Sequence, residues 1–430
     1  MKALNDNAHP LESLLQQHCP NGVEFKELGE LGEFSNTGVD KKKNEKEKEV
    51  ILLNFVDVMK NHYIDEKIPT MIVTASDNKI KQCTCEKGDI FITPSSETID
   101  EIGFASVITK TLSNTCYSYH IMRYRLFEKQ ITTSFFIRYL FESEIIRQQI
   151  RKYATGLTRF GLKKQKWEQI KIPLPPLEIQ SKIVEILDAF TELQAELQAE
   201  LQARLKQYHY YRNKLLSFEE LQRRTDMLNG GGLKLVSLGE IGTFTRGNGL
   251  TKADFVEVGV PCIHYGQIHT HYHNYTHSTI SFVSEEKAKK LKKAKYGDLV
   301  IVGVSEDKDC VCKAVVYLGK QEACVSGDTF IFSHSQNPKF IGYMFQTENF
   351  NTFKHKYAQG AKVLRVHNEQ LEKFQIPLPP LEVQNDIVEL LDKFDTLTND
   401  LTSGIPAEIE ARKKQYEHYR ERLLSFIAKD

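Results

Sequence analysis

The chain has 430 residues, with 57 Lys+Arg balanced by 57 Asp+Glu, 40% hydrophobic residues and eight cysteines. That length suggests two to three domains, each able to bury its own core; no apolar run approaches the roughly 20 residues of a membrane-spanning helix, and eight cysteines so widely scattered exclude a small disulfide scaffold, so free thiols are expected. The zero net charge hides a division, since residues 25–171 hold 24 Lys+Arg against 20 Asp+Glu, residues 231–375 hold 18 against 14, and the remainder is acidic at 15 against 23.

Residues 1–24 form an N-terminal segment whose start is polar and carries no signal-like apolar stretch, which points to a soluble, cytoplasmic protein. The first domain, residues 25–171, opens on Leu28-Gly-Glu-Leu-Gly32 followed by Phe34. Short β-like runs follow at residues 50–54, 71–74 and 89–93, with helical patterning around 135–153. The alternating charges of residues 41–49 read as a solvated loop, or as a loop whose first lysines touch phosphate. A polar stretch holds Ser76, Asp77, Asn78, Lys79 and Lys81, and Cys83 and Cys85 form a C-x-C pair with no second ligand pair at zinc-finger spacing. Near the end of the domain, Thr155-Gly-Leu-Thr-Arg159 is followed by Lys163, Lys164 and Lys166. There a flexible glycine stands among cations suited to phosphate and hydrogen-bonding side chains, with Thr158 and Arg159 as candidate DNA contacts, since Arg, like Asn and Gln, can read base edges.

The linker of residues 172–230 begins with Ile172-Pro-Leu-Pro-Pro-Leu-Glu178. Beyond its prolines the apolar residues fall at steps of three or four: Ile183, Leu187, Phe190, Leu193, Leu197, Leu201, Leu205, Tyr208, Tyr211 and Leu215. This predicts an amphipathic helix over residues 177–218, about 60 Å long. Within it Glu-Leu-Gln-Ala occurs three times, at residues 192, 196 and 200. A leucine at every fourth residue drifts around the helix by about 40° per step, unlike a strict seam, so the repeat reads either as a length-adjusting spacer or as simple helical filler.

The second domain, residues 231–375, starts with Leu238-Gly-Glu-Ile-Gly242 followed by Phe244, and has β-like runs at 299–302, 312–318 and 329–332 with helical patterning around 340–357. Its candidate DNA contacts, like Asn78, Lys79 and Lys81 in the first domain, are Arg246, Asn248, His264, Tyr265 and Gln267 on polar loops, then Gln359-Gly-Ala-Lys362 with Arg365 just before the linker. The histidines from His264 to His277 suit a metal, a nucleic-acid surface or a plain polar loop. The final linker, residues 376–430, opens on the same heptapeptide, Ile376-Pro-Leu-Pro-Pro-Leu-Glu382, 204 residues after the first. Tyr153-Ala-Thr-Gly156 matches Tyr357-Ala-Gln-Gly360 at the same offset, and the two helix ends match at 208. A period near 200 means two whole domains rather than a solenoid. The expected fold is therefore α/β (mixed): two similar domains separated by two long helices forming an antiparallel coiled coil with pseudo-two-fold symmetry. The second helix is expected to break at Ser403-Gly-Ile-Pro406. Leu193, Leu197, Leu201, Leu205, Tyr208, Leu215, Tyr416 and Leu423 are the expected spacer and subunit-contact positions. Basic domains on acidic helices suggest an anionic polymer as one partner and protein as the other.

No G-x-x-x-x-G-K-[ST], G-x-S-x-G or H-E-x-x-H motif occurs, and no Asn/Asp-Pro-Pro-aromatic segment of the kind that holds a flipped base, so no catalytic residue, cofactor or resident metal is expected. A duplicated domain ending in Ile-Pro-Leu-Pro-Pro-Leu-Glu, followed by a helix ending in Tyr-x-x-Tyr-Arg-x-x-Leu-Leu-Ser-Phe at residues 208–218 and 416–426, resembles the specificity subunit of type I restriction-modification systems. The tetrapeptide repeat resembles that family's spacer element. The resemblance implies two target recognition domains, each reading half of a bipartite, asymmetric DNA site, and helices that set the gap and bind two modification subunits carrying S-adenosylmethionine and adenine-N6 transfer. Two restriction subunits would add ATP-driven cleavage. The alternatives are a coiled-coil scaffold that does not read DNA and a self-sufficient methyltransferase, the latter at odds with the missing motifs.

Overall fold

The computed structural model describes residues 19–128, 130–228, 231–400 and 403–426. Most of the expected N-terminal segment, residues 1–18, lies outside the described residues. Each copy is a mixed α/β domain built on a five-stranded sheet of the same order. In the first the order is Gly32–Ser35, Met122–Leu126, Ile90–Ile92, Ala105–Ile108, Tyr63–Ile64. In the second it is Gly242–Arg246, Thr329–His334, Leu299–Val302, Ala314–Tyr317, Tyr275–Thr276. Three antiparallel pairings precede one parallel edge pairing in both. The middle strands Ile90–Ile92 and Leu299–Val302 read as unbroken apolar runs because both faces are covered, and Leu299, Val300, Ile301 and Val302 are all fully buried, whereas Met122–Leu126 alternates buried and half-buried residues.

A second sheet differs between the copies. It has three strands in the first (Met71–Ala75, Lys48–Leu53, Thr115–Tyr117) and five in the second, where Phe255–Val256 and Lys293–Ala294 extend the edges. The run expected at 312–318 becomes a strand only from Ala314, since Cys312 sits at φ +60°, a left-handed conformation that a strand does not use. Each helical stretch is two helices, Ser134–Leu140 with Glu144–Tyr153, and Pro338–Met344 with Glu348–Tyr357. Thr347 caps the last of these by accepting from the Phe350 amide. All eight cysteines are free.

The heptapeptide closes each domain. Lys171–Leu174 pairs antiparallel with Glu24–Glu27, and Gln375–Leu378 with Lys234–Ser237, so the prolines sit in two-stranded edges where a missing amide is tolerated. Just beyond, Gln180 and Gln384 are fully buried. Gln180 accepts from the Thr133 amide at 3.2 Å and donates to the carbonyls of Ile131 (3.0 Å) and Pro175 (2.8 Å). Gln384 accepts from the Asn337 amide at 3.0 Å and donates to the Pro379 carbonyl at 2.8 Å. About two turns further on, Asp188 accepts from the Tyr139 hydroxyl at 2.5 Å and Asp392 from the Tyr343 hydroxyl at 2.6 Å. Each domain is thus locked to the start of its own helix by the same glutamine, aspartate and tyrosine, 204 residues apart.

The long helix spans Leu177–Leu215, three residues short of the expected end. Ser217 accepts from the Glu220 amide and caps a new helix, Phe218–Met227, because serine competes for orphan amides better than it continues a helix. The second rod is two helices, Leu381–Asn399 and Ile405–Leu424, with Gly404 at the break, where a Cβ would lie 2.8 Å from the Leu397 carbonyl. Pro406 falls in the first turn of the restart. Leu193, Leu197, Leu201, Leu205 and Leu215 are half-buried, while Tyr208, Tyr416 and Leu423 are buried.

The chain divides into two compact units, residues 1–196 with 409–430, and residues 197–408. In the first, Tyr416, Leu423 and Leu424 enter the core with Ile179, Ile183 and Leu187. Phe190 packs on Tyr416 and Tyr419 at 6.4 and 5.5 Å, and the Tyr416 hydroxyl donates to Glu142 at 2.8 Å. In the second, Tyr208 and Tyr211 pack on Phe394 at 6.5 and 5.6 Å, and Arg212 donates to Gln346 at 3.0 Å. Each unit is therefore completed by the helix end of the other sequence repeat.

Candidate nucleic-acid interface

Both domains present a short loop just before the heptapeptide. In the first, Thr155 and Gly161 exchange backbone hydrogen bonds at 3.0 Å, and in the second Gln359 and Arg365 do so at 2.9 Å. The turns rely on Gly156 at φ +140° and Gly360 at φ +126°, where a Cβ would strike the carbonyls of Arg159 and Val363. The loop's return strand then pairs with the main domain, Phe160–Gly161 with Ser95–Ser96 and Leu364–Arg365 with Val304–Ser305. A glycine turn clamped at its base thus displays whatever stands at its tip. At the first tip Leu157 is 96% exposed and Thr158 and Arg159 are exposed, with Arg159 donating to Ser95 Oγ at 3.3 Å. Lys163 and Lys164 lie exposed beside it, Lys164 3.7 Å from Glu168. At the second tip Lys362 is exposed between Gln359 and Arg365.

Asn78, Lys79 and Lys81 lie on the helix Asp77–Gln82, which buries no residue. Lys79 donates to the Gly38 carbonyl at 3.1 Å, tying this helix to the segment that leads into Lys41, Lys42 and Lys43. Arg246 ends its strand exposed and joins Arg365 in one cleft with Asp328, His367 and Asn368. The other second-domain candidates have internal duties. Asn248 accepts from the Lys292 amide at 2.7 Å and donates to the Lys290 carbonyl at 2.8 Å. His264 is buried, caps the helix Tyr265–Thr270 by accepting from the Gly266 amide, and is held below the usual histidine range by burial and then by Lys252. Gln267 accepts from the His264 amide and donates to Ser281. Tyr265 is half-buried against His264 and His269. Among the described residues no three His, Cys, Asp or Glu side chains are grouped to hold a metal ion, and no helix is long and apolar enough to cross a membrane.

Asp328, His367 and Asn368 went unnoticed in the sequence, as did Gln180 and Gln384, while Asp188 and Asp392 stand out there only as matched positions of the repeat and not as a lock. The locking residues did carry a signal, identity at the 204-residue offset. The cleft residues carried none, because they come from four separate segments.

The family model described as "Type I restriction modification DNA specificity domain" matches residues 20–207 and again residues 231–411. The chain belongs to this family. A putative type I restriction enzyme specificity subunit of Haemophilus influenzae is 33% identical over 283 residues, 64% of this chain and 68% of that protein. A type I restriction enzyme specificity subunit of Escherichia coli is 36% identical over 284 residues, 62% of this chain and 67% of the relative. The solved S subunit of the type I restriction-modification system of M. genitalium aligns over 99% of both chains with a TM-score of 0.50 at 14% identity. A chain from a structure of type I restriction-modification complex assembly aligns over 94% of this chain and 98% of its own length, with a TM-score of 0.57 at 15% identity. These two likenesses are of fold, and the specificity family's paired domains are what the matched segments share.

Proposed function

We propose that this chain is the DNA-reading subunit of a type I restriction-modification complex. Residues 25–171 and 231–375 are its target recognition domains, each taking one half of a bipartite, asymmetric site in double-stranded DNA. The helices pair antiparallel as a coiled coil that sets the gap, which the contacts of Phe190 with Tyr416 and of Tyr208 with Phe394 support. Their outer faces receive two modification subunits, which hold S-adenosylmethionine and transfer the methyl group, and two restriction subunits complete the assembly in the cytoplasm. The chain itself binds and positions; it is not an enzyme.

The observation that carries this reading is a framework held in common with surfaces that are not. The sheet order, the glycine turn and the glutamine lock recur in both copies, whereas the residues displayed around the turns differ. Two readers of unlike targets need that combination. Lys79, Lys81, Lys163, Lys164 and Lys362 supply phosphate contacts, with Asn78, Thr158, Arg159 and Gln359 near them, and Arg246 and Arg365 face bases. Asn248, His264 and Gln267 shape the second domain from within. Replacing residues 231–375 by the corresponding domain of a relative tests the reading through the methylated sites of the assembled complex. One half-site should change and the other persist, and a change in both rejects modular recognition.

A further inference from the structure

The two domains can be laid over one another through their paired strands. In the first, Phe34 faces Tyr124 with ring centroids 4.4 Å apart, and in the second Phe244 faces Phe332, also at 4.4 Å. Gly32 and Gly242 precede these pairs by two residues, and a Cβ on either would crowd the same facing ring, at 2.8 Å from Tyr124 and 2.6 Å from Phe332. Two residues beyond the aromatic pair this identity ends. Asn36 stands where the second domain has Arg246, and Tyr119 and His120 stand where it has Gly327 and Asp328. On the closing loop Gly161 corresponds to Arg365 and Lys163 to His367.

In the second domain these positions converge on a cleft of about 120 Å³ lined by Arg246, Asp328, Phe330, Arg365, His367 and Asn368. Arg246 Nε donates to the Gly327 carbonyl at 3.0 Å, which fixes the plane of the guanidinium. Among the described residues neither Arg246 nor Arg365 has a carboxylate partner, and both are exposed. Two guanidinium groups outnumber the single Asp328 carboxylate in this cleft, and so favour an acceptor-rich ligand. A phosphate would meet the Asp328 carboxylate in the same cleft. The major-groove edge of a G·C pair instead offers two acceptors, guanine N7 and O6, beside a donor, the cytosine amino group. Two forked donors next to one carboxylate complement that pattern.

We propose that Arg246 and Arg365, with Asp328, read a G·C pair in the half-site taken by the second domain. The first domain has no arginine at either place and makes no such contact. The proposal rests on the DNA-reading function above, and the test separates the two. The full chain, assembled with its modification subunits, is selected against duplexes randomised across both half-sites, and bound sequences are counted. The parent chain should enrich guanine at one position or more of the second half-site. R365A and R246A should lose that preference by roughly tenfold or more, the size of one bidentate base contact, while the first half-site stays unchanged and so reports an intact fold. R365K keeps the charge but not the fork, and should retain affinity while losing the preference. If the alanine variants instead weaken binding to every sequence alike, with a shallower salt dependence, the arginines hold phosphate and the proposal falls. An unaltered second half-site also overturns it. A parent chain that enriches neither half-site rejects the DNA-reading function itself.

Discussion

Gln180 and Gln384 show how much a single side chain decides here. Each is an uncharged amide with no exposure, and each spends its carbonyl on a backbone amide and its amino group on the carbonyl of the first proline of the Pro-Pro pair, Pro175 or Pro379. Leucine has similar bulk and no polar atoms. Q384L should leave the Pro379 carbonyl buried without a partner, at about 1–3 kcal/mol, and take the acceptor from the half-buried Asn337 amide. Denaturant unfolding followed by hydrogen exchange should show the loss in residues 231–399, with residues 25–171 little changed. A shift below about 0.5 kcal/mol would mean that the lock is dispensable. The identity of these glutamines at a fixed offset is visible in the sequence, whereas their burial is not, since a glutamine in the first turns of a helix usually faces water.

The long helix carries the measuring role at the scale of elements. Leu193, Leu197, Leu201 and Leu205 are half-buried although their four-residue spacing drifts round the axis. The flanking Glu, Gln and Ala positions stay mostly exposed, so a tetrapeptide can be removed without opening a core. Deleting residues 200–203 shortens the rod by about 6 Å, comparable to one or two base pairs of duplex at 3.4 Å rise. Methylation mapping should find both half-sites intact and the gap between them altered; an unchanged gap would sink the ruler reading. The seam was legible because a 3.6-residue period leaves its mark on the apolar spacing. The helix end was misjudged by three residues because Leu-Leu-Ser-Phe continues the apolar pattern while Ser217 caps the next helix.

At the scale of the whole molecule the sequence repeats and the compact units are not the same objects. Residues 409–430 belong with residues 1–196, and they supply Tyr416, Leu423 and Leu424 to that core. Each of these buried side chains contributes about 2 kcal/mol. Truncation after Glu408 should therefore destabilise the unit most distant from it in sequence. Hydrogen exchange should rise in the helices Ser134–Leu140 and Glu144–Tyr153 and at the start of the long helix, and residues 231–399 should keep their protection. Loss of protection in the second unit alone would contradict the exchange of helix ends. By itself the sequence determined the duplication, the mixed α/β class, the helical rods and the family, because identity at a fixed offset and apolar periodicity are local properties that survive without coordinates. Only the tertiary structure decided which helix end completes which core, and which polar residues meet. Arg246, Asp328 and Arg365 lie far apart along the chain and are joined by strand pairing, so no window of sequence holds the cleft they form.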